Sequence, residues 1–271
     1  MRRALLFVAV ALFIALVGLA LARPWIAPAD VPAIDIVSTR FLPPLTIDGY
    51  GVVHIFGTDR LGRDVWGRLL DGARVSLVVG ALATIVAVTI GTLVGAVAGI
   101  ATGPVSAALL ALTDFVLALP RVVLLLLLAA LWQPSATLVI VVLGLTGWMP
   151  IARLVYTETI AQLGRPYTEA ARALGGRRRW ILRRHVIPHA LTPVVAASAL
   201  GFGNAVTLEA GLSFLGLGVQ PPAASWGTLI ASGRDTVVNA PWVGVVPGVA
   251  LALVVTLSVL LGDALTDRKV A

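Results

Sequence analysis

Stretches free of Asp, Glu, Lys and Arg occupy residues 4–22, 75–113, 122–152, 185–208, 210–233 and 236–262. A helix that crosses a bilayer needs about 20 mostly apolar residues, so several of these stretches qualify. They are continuously apolar and do not alternate with period two, which favours helices over a barrel. The longest exceeds one helix, and Ala101-Thr102-Gly103-Pro104 divides it, because a Gly-Pro pair marks a turn. The pattern predicts spans near 4–22, 75–100, 105–131, 136–154, 191–217 and 243–265. The third can begin as late as Leu112, with 104–111 then lying in the interface. Six spans leave both termini on one side, so the expected fold is an all-α membrane protein.

The segment 4–22 has a competing reading. Arg2-Arg3, an apolar run and Ala20-Leu21-Ala22 resemble a cleavable signal peptide. Signal cores run about 7–15 residues, and the greater length here favours an uncleaved N-terminal transmembrane helix over 1–22. Orientation follows from the basic residues. The 153–184 segment holds eight Arg against Glu158 and Glu169, while Arg2, Arg3, Arg268 and Lys269 lie at the ends. The opposite side, 23–74 with 218–242, balances seven Arg with seven Asp. The positive-inside rule therefore puts both termini and the 155–190 loop in the cytoplasm. Residues 23–72 become an extracytoplasmic segment, and 73–271 the main transmembrane domain.

Composition narrows the chemistry. Of 271 residues 59% are apolar and 12% charged, against about 25% charged in a soluble domain. A soluble sphere and a disordered chain are both excluded. The net charge of +7 reflects a basic cytoplasmic loop and does not call for nucleic acid. Lys269 is the only lysine, which rules out a nucleotide-binding loop of the G-x-x-x-x-G-K-[ST] form. ATP, if used, binds another chain. There is no cysteine, hence no disulfide or thiolate metal site. His185 and His189 are four apart, but Pro188 intervenes and no Glu follows His185, so the zinc-protease pattern fails. Gly211-Leu212-Ser213 faintly suggests an intramembrane hydrolase, but the histidines lie about a helix length away. Neither a catalytic residue nor a metal site is expected.

Four local patterns stand out. Pro166 and Gly175-Gly176 bracket a helix over 166–174, with Glu169 in its first turn. A second helix, about 178–187, is expected to end before Pro188. This pair is either a protein platform or a basic surface on anionic lipid. Leu61, Val65 and Leu69 oppose Arg60, Arg63, Asp64, Arg68 and Asp71, which predicts an amphipathic helix over 57–72 on the outer interface. Such a helix is either a docking surface or a brace on the bundle rim. Gly91, Gly95 and Gly99 form a small-residue seam, within the chain or against another. Asp114, Arg121, Asn204 and Glu209 are intramembrane polar residues. Asp114, near the cytoplasmic boundary, shares a helix face with Arg121, while Asn204, Glu209 and Arg121 line a pathway or pair, for example Glu209 with Arg121; pairing is favoured.

Three motifs carry a family resemblance. The first is Glu169-Ala170-Ala171, then Gly175 and His185-Val186-Ile187-Pro188. The second is Phe56-Gly57-Thr58-Asp59-Arg60-Leu61-Gly62-Arg63-Asp64-Val65, continuing to Gly72-Ala73-Arg74-Val75-Ser76-Leu77. The third is Glu209-Ala210-Gly211-Leu212-Ser213-Phe214-Leu215-Gly216-Leu217-Gly218, followed by Gln220-Pro221-Pro222 and Ser225-Trp226-Gly227. Together they resemble the inner-membrane permeases of binding-protein-dependent ABC importers. The match is to the dipeptide/oligopeptide/nickel branch and its second-permease type. His189 and Arg121 depart from the residues usual there.

The resemblance implies a permease that forms a pathway with a second permease chain. Two ATPase subunits would hold ATP and Mg, leaving no cofactor on this chain, and an extracytoplasmic solute-binding protein would deliver solute. Membrane lipid is a further partner. The 166–174 helix, between spans four and five, would be a cytoplasmic coupling helix, with Glu169, Ala170, Ala171 and Gly175 as its ATPase-coupling positions. Arg60, Arg63, Asp64 and Arg68 are candidate docking residues for the binding protein. The solute implied is a di- or oligopeptide, with nickel or another small solute as the alternative. A secondary transporter is the rival of another class, but such folds often carry internal repeats and none is evident here.

Overall fold

Asp64 starts the first long helix. Its carboxylate accepts the Gly67 N–H at 2.7 Å, filling the N-cap role that short acidic side chains serve. The structure is a computed structural model and describes residues 2–26 and 36–267. Ahead of this cap lie α1 (Arg2–Leu21), α2 (Arg23–Ile26) and α3 (Ile36–Thr39), then a hairpin of β1 (Thr46–Ile47) and β2 (Val53–His54). The strands are antiparallel, with Thr46 opposite His54 and Ile47 opposite Val53. Then come α4 (Val65–Ile100), α5 (Pro104–Ala118), α6 (Arg121–Leu131) and α7 (Ala136–Leu163). The loop after α7 holds α8 (Pro166–Ala173), α9 (Arg178–Ile181), a π-helical turn (Leu182–Val186) and α10 (Ile187–Ala190). The chain ends with α11 (Thr192–Phe214), α12 (Trp226–Arg234) and α13 (Trp242–Asp267).

Among the described residues, four helical stretches are long and apolar enough to cross a membrane: Val65–Ile100, Ala136–Leu163, Arg178–Phe214 and Trp242–Thr266. The pair α5 and α6 makes a fifth if counted as one bent span. α4 is about 54 Å long at 1.5 Å per residue. It therefore outruns a hydrocarbon core of about 30 Å, and its first turns, with Arg68, Asp71 and Arg74, form a polar end.

Among the described residues, the α4–α7 seam is the most extensive helix contact, and it is close. A Cβ on Gly91 would lie 2.5 Å from the Trp148 carbonyl oxygen, and one on Gly99 would lie 2.7 Å from Thr159 Cβ. Gly95 meets the Ala152 carbonyl in the same way. The glycine stripe is thus a seam inside the chain, where small residues let two backbones touch. A second core joins α1, α4, α11, α12 and α13 through Ala20, Leu69, Leu77, Val206, Trp226 and Val254. Arg74 holds the end of α1 by donating to the Ala20 and Leu21 carbonyls at 2.7 and 2.9 Å. These are the orphan acceptors of a helix C-terminus, where a cation also suits the helix dipole.

Three expectations are corrected. The third span is not one straight helix over 105–131: α5 and α6 meet at an 80° bend. Leu119 is extended there (φ −71°, ψ 135°), as the residue before a proline prefers. The amphipathic helix over 57–72 begins only at Val65. Residues 57–64 form turns, with Gly57 and Gly62 both at φ +73°. The apolar spacing there comes from the first turns of α4 and one exposed leucine, Leu61. The second loop helix does not stop before Pro188. The chain widens into the π turn, in which the Ile187 N–H reaches the Leu182 carbonyl, and then runs on into α11. The wider turn relieves the clash of the Pro188 ring with the preceding turn.

Gly95→Leu should lower the apparent melting temperature of the detergent-solubilised protein, at a cost of about 1–3 kcal/mol from overpacking. Gly211→Ala, whose Cβ would meet nothing within 4 Å, should leave it unchanged. Matching melting curves for Gly95→Leu and wild type would refute the tight seam.

Candidate coupling surface and membrane-embedded polar groups

Two residues, Gly164 and Arg165, separate α8 from α7. Pro166 opens the helix, where its missing N–H costs nothing. Thr168 anchors it by donating to the Gln162 carbonyl at 2.8 Å. The helix ends in a Schellman turn. Gly176 N–H reaches the Ala171 carbonyl at 2.9 Å, and Gly175 N–H reaches that of Arg172 at 3.0 Å. Gly175 sits at φ +80°, a conformation that costs a glycine little and a β-branched residue much. Glu169 and Ala170 are exposed and Ala171 half-buried. The structure thus brings the four expected coupling positions onto one short element.

Beside α8 lies a recess of about 640 Å³, lined by Tyr167, Ala171, Leu174, Gly175, Trp180 and His185 among others. Leu174 is 89% exposed and Trp180 54%. The Trp180 ring packs edge-on against His185 at 5.1 Å. The loop after α7 carries seven arginines and still presents these large apolar side chains to solvent. Arg178 ties the loop to the end of α4 by donating to the Ile100 carbonyl at 2.6 Å.

Within the helical bundle, Glu209 is fully buried. Its two carboxyl oxygens accept from Ser76 Oγ at 2.8 Å and Ser213 Oγ at 2.7 Å. Ser76 Oγ accepts the Trp226 N–H at 3.1 Å, and Ser213 Oγ accepts the Val219 N–H at 3.1 Å. Trp226 Nε1 donates to the Leu69 carbonyl at 3.1 Å. One carboxyl group therefore joins α4, α11, α12 and the loop between the last two. Its described partners are hydroxyls and not a cation, and the Arg121 side chain lies outside the described residues. Asp114 accepts from Arg153 Nε at 2.8 Å. Asn204 is five residues from Glu209, about 140° around the helix, and lines a recess of about 390 Å³ between α4, α7 and α11. Asn204 and Glu209 do not share a site.

In the segment ahead of α4, Asp64 also meets His54 Nδ1 at 2.9 Å, and Asp48 lies 3.4 Å from His54 Nε2. Burial opposes ionisation of Asp48. The Val52 and Tyr50 N–H groups and the His54 ring outweigh it and hold the carboxyl below its ordinary value. Arg63 Nη2 pairs with buried Asp59 at 2.7 Å, and Arg68 Nε approaches the same carboxylate at 3.9 Å. Asp64 is thus a cap, and Arg68 packs beside Asp59. Of the four docking candidates, Arg60 alone is largely exposed and Arg63 partly so.

Residues 87–270 match the family described as binding-protein-dependent transport system inner membrane component. The chain belongs to this family. It is the permease subunit of an ABC importer and a multi-pass inner-membrane component. Dipeptide transport system permease protein DppC of Escherichia coli (strain K12) is 39% identical over 263 residues, covering 97% of this chain and 86% of that protein. Di/tripeptide transport system permease protein DppC of Pseudomonas aeruginosa (strain UCBPP-PA14) is 34% identical over 248 residues, covering 92% of this chain and 82% of that one. Among solved structures, an inward-facing MetNI methionine ABC transporter matches with a TM-score of 0.63 at 22% identity. It covers 75% of this chain and 96% of that one. This likeness speaks to the fold alone.

Sequence reasoning singled out Glu209 in the permease but missed its partners. Ser76, Ser213 and Trp226 each sit in one of the quoted motifs. Nothing in one dimension said that these motifs meet at a single carboxyl group.

Glu209→Leu should orphan the Ser76 and Ser213 hydroxyls and lower thermal stability in detergent by about 1–3 kcal/mol. Ser76→Ala combined with Glu209→Leu should cost less than the sum of the two; strict additivity would refute the hub. Asp48 supplies a pH signature. Its lowered pKa stabilises the hairpin fully above the unfolded carboxylate's titration, and this is lost as pH falls through the folded value. Asp48→Asn should flatten the acid limb of hairpin protection in a pH series of limited proteolysis.

Proposed function

We propose that this permease is one of two pore-forming chains of a di- or oligopeptide importer, and that α8 is its coupling helix to the ATPases. The observation that carries the coupling role is the exposed α8 with its apolar recess, hinged by Gly164-Arg165 on one side and by Gly175 on the other. Beyond Gly176 the chain runs into a nearly continuous helical stretch to Phe214. A rigid-body push on α8 would reach both α7 and α11. The peptide assignment rests on the two DppC relatives, whose identity extends over more than nine-tenths of this chain.

In this reading the spans number six: α1, α4, the bent α5–α6 pair, α7, α11 and α13. Both termini and α8 face the cytoplasm, a placement that the arginine distribution supports. The N-terminal helix covers 1–22, the extracytoplasmic segment 23–72 and the permease domain 73–271. Two ATPase subunits bind ATP and Mg in place of this chain, whose single lysine is at the C-terminal end. A solute-binding protein docks on the outer segment. Arg60 is the most exposed of the four candidates, whereas Arg63 pairs with Asp59, Asp64 caps α4 and Arg68 packs beside Asp59.

The test is purification in mild detergent with mass spectrometry of what accompanies the chain. A second permease, two ATPase subunits and a binding protein are expected. A chain that comes alone and transports on an ion gradient would overturn the reading. Gly175→Val and Ala171→Asp should abolish uptake while membrane insertion is kept and ATP hydrolysis no longer responds to the binding protein. Normal uptake by either variant would exclude α8 as the coupling element.

A further inference from the structure

The recess between α4, α7 and α11 contains an amide with no side-chain hydrogen bond among the described residues. Its walls are small or aliphatic, including Ala83, Ala87, Leu143, Ile151 and Gly201. Three lining side chains are polar. Thr84 donates to the Gly80 carbonyl at 2.7 Å, and Ser198 donates to that of Val194 at 2.6 Å. Both hydroxyl protons are spent inside their own helices. Asn204 makes no side-chain hydrogen bond among the described residues and is exposed to the recess.

An unspent amide in a membrane-spanning helix is costly, because hydrocarbon offers it no partner. Its position calls for water, a solute or another chain on that face. Pro150 lies in the opposite wall. It supplies no N–H to the Thr146 carbonyl, and interrupted backbone at membrane depth is tolerated where it lines a cavity. The volume of about 390 Å³ lies in the range of small-ligand sites, roughly 300–1,000 Å³.

The geometry points to this recess as a subsite on the solute path, with Asn204 hydrogen-bonding a backbone amide of a passing peptide. The inference rests on the peptide reading above and adds to it a residue and a mode of recognition. A carboxamide offers one carbonyl acceptor and two N–H donors, so it complements the N–H and C=O of a peptide group. Among the described residues the recess is lined by no charged side chain, which suits a neutral amide better than an ionised terminus. Its small apolar walls do not single out one side chain, so selection falls on the backbone that all peptides share.

The chain contains no cysteine, so Asn204→Cys introduces a unique thiol. The experiment uses membrane vesicles carrying the complete transporter, with the partner chains made cysteine-free. A charged methanethiosulfonate reagent, which reacts only with hydrated thiols, should label the variant. Saturating L-alanyl-L-alanine, presented with the binding protein, should slow labelling severalfold. Asn204→Leu should cut L-alanyl-L-alanine uptake roughly two- to tenfold, the range one hydrogen bond supplies. Binding-protein-stimulated ATP hydrolysis should persist, which a misfolded variant would not allow. The ester analogue L-alanyl-L-lactate, lacking the amide N–H, should respond less to the substitution. An unreactive thiol would show that lipid or the second permease covers this face and would overturn the inference. Unchanged dipeptide uptake by Asn204→Leu, or labelling indifferent to the dipeptide, would do the same. Wild-type vesicles that take up no dipeptide would instead overturn the peptide reading, and this inference with it.

Discussion

A carboxyl group with no access to solvent ties together the half of this permease built on α4, α11 and α12. Glu209 accepts from one serine on α4 and one on its own helix, and each serine accepts in turn from a backbone N–H of the chain that follows α11. In a low-dielectric interior a satisfied network of this kind rigidifies its surroundings, whereas a half-satisfied one is costly. The geometry therefore makes α4, α11 and α12 stand or fall together. Close packing supports it: a Cβ on Gly227 would lie 2.7 Å from Ala210 Cα and 2.8 Å from Ser213 Cβ. The small residue after Trp226 is what lets α12 sit on α11 near enough for the network to close.

The other half depends on contact and not on polarity. Gly91, Gly95 and Gly99 bring α4 against α7 at backbone distance. α4 is common to both halves, packed by glycines toward one end and hydrogen-bonded through Ser76 toward the other. α7 leads into α8, and α8 leads through the π turn into α11. The exposed loop thus joins the two helices that flank α4, and the recess with Asn204 opens among the same three helices. α8 and that recess are therefore joined through the same two helices, α7 and α11.

Local rules served well where local chemistry dominates. Pro166 and Gly175 bracket α8 because a proline ring suits a first turn and a glycine suits a left-handed exit, whatever lies around them. The same rules misled where a neighbour intervened. Pro188 should end a helix, yet the π turn before it absorbs the ring and the helix goes on. Leu61, Val65 and Leu69 repeat like one helical face, but Asp64 caps a helix that starts at the second of them. The 105–131 run is mostly apolar apart from Asp114 and Arg121, and its hydropathy gives no hint that Leu119-Pro120 turns the chain by 80°.

The amino-acid sequence by itself determined that this is a helical membrane protein, where its apolar stretches lie, which loop is basic, and which family its three motifs resemble. Each of these follows from residue type and spacing along one dimension. Only the tertiary structure decided what the polar residues inside the bundle do. Glu209 and Asn204 read alike on the page, as uncharacteristic side chains on one apolar helix. Five residues of helical rotation turn one into a hub closed by serines from distant motifs and leave the other facing an open recess. Burial and hydrogen-bond partnership depend on which surfaces meet, and in a bundle those surfaces come from residues as far apart as Ser76 and Trp226.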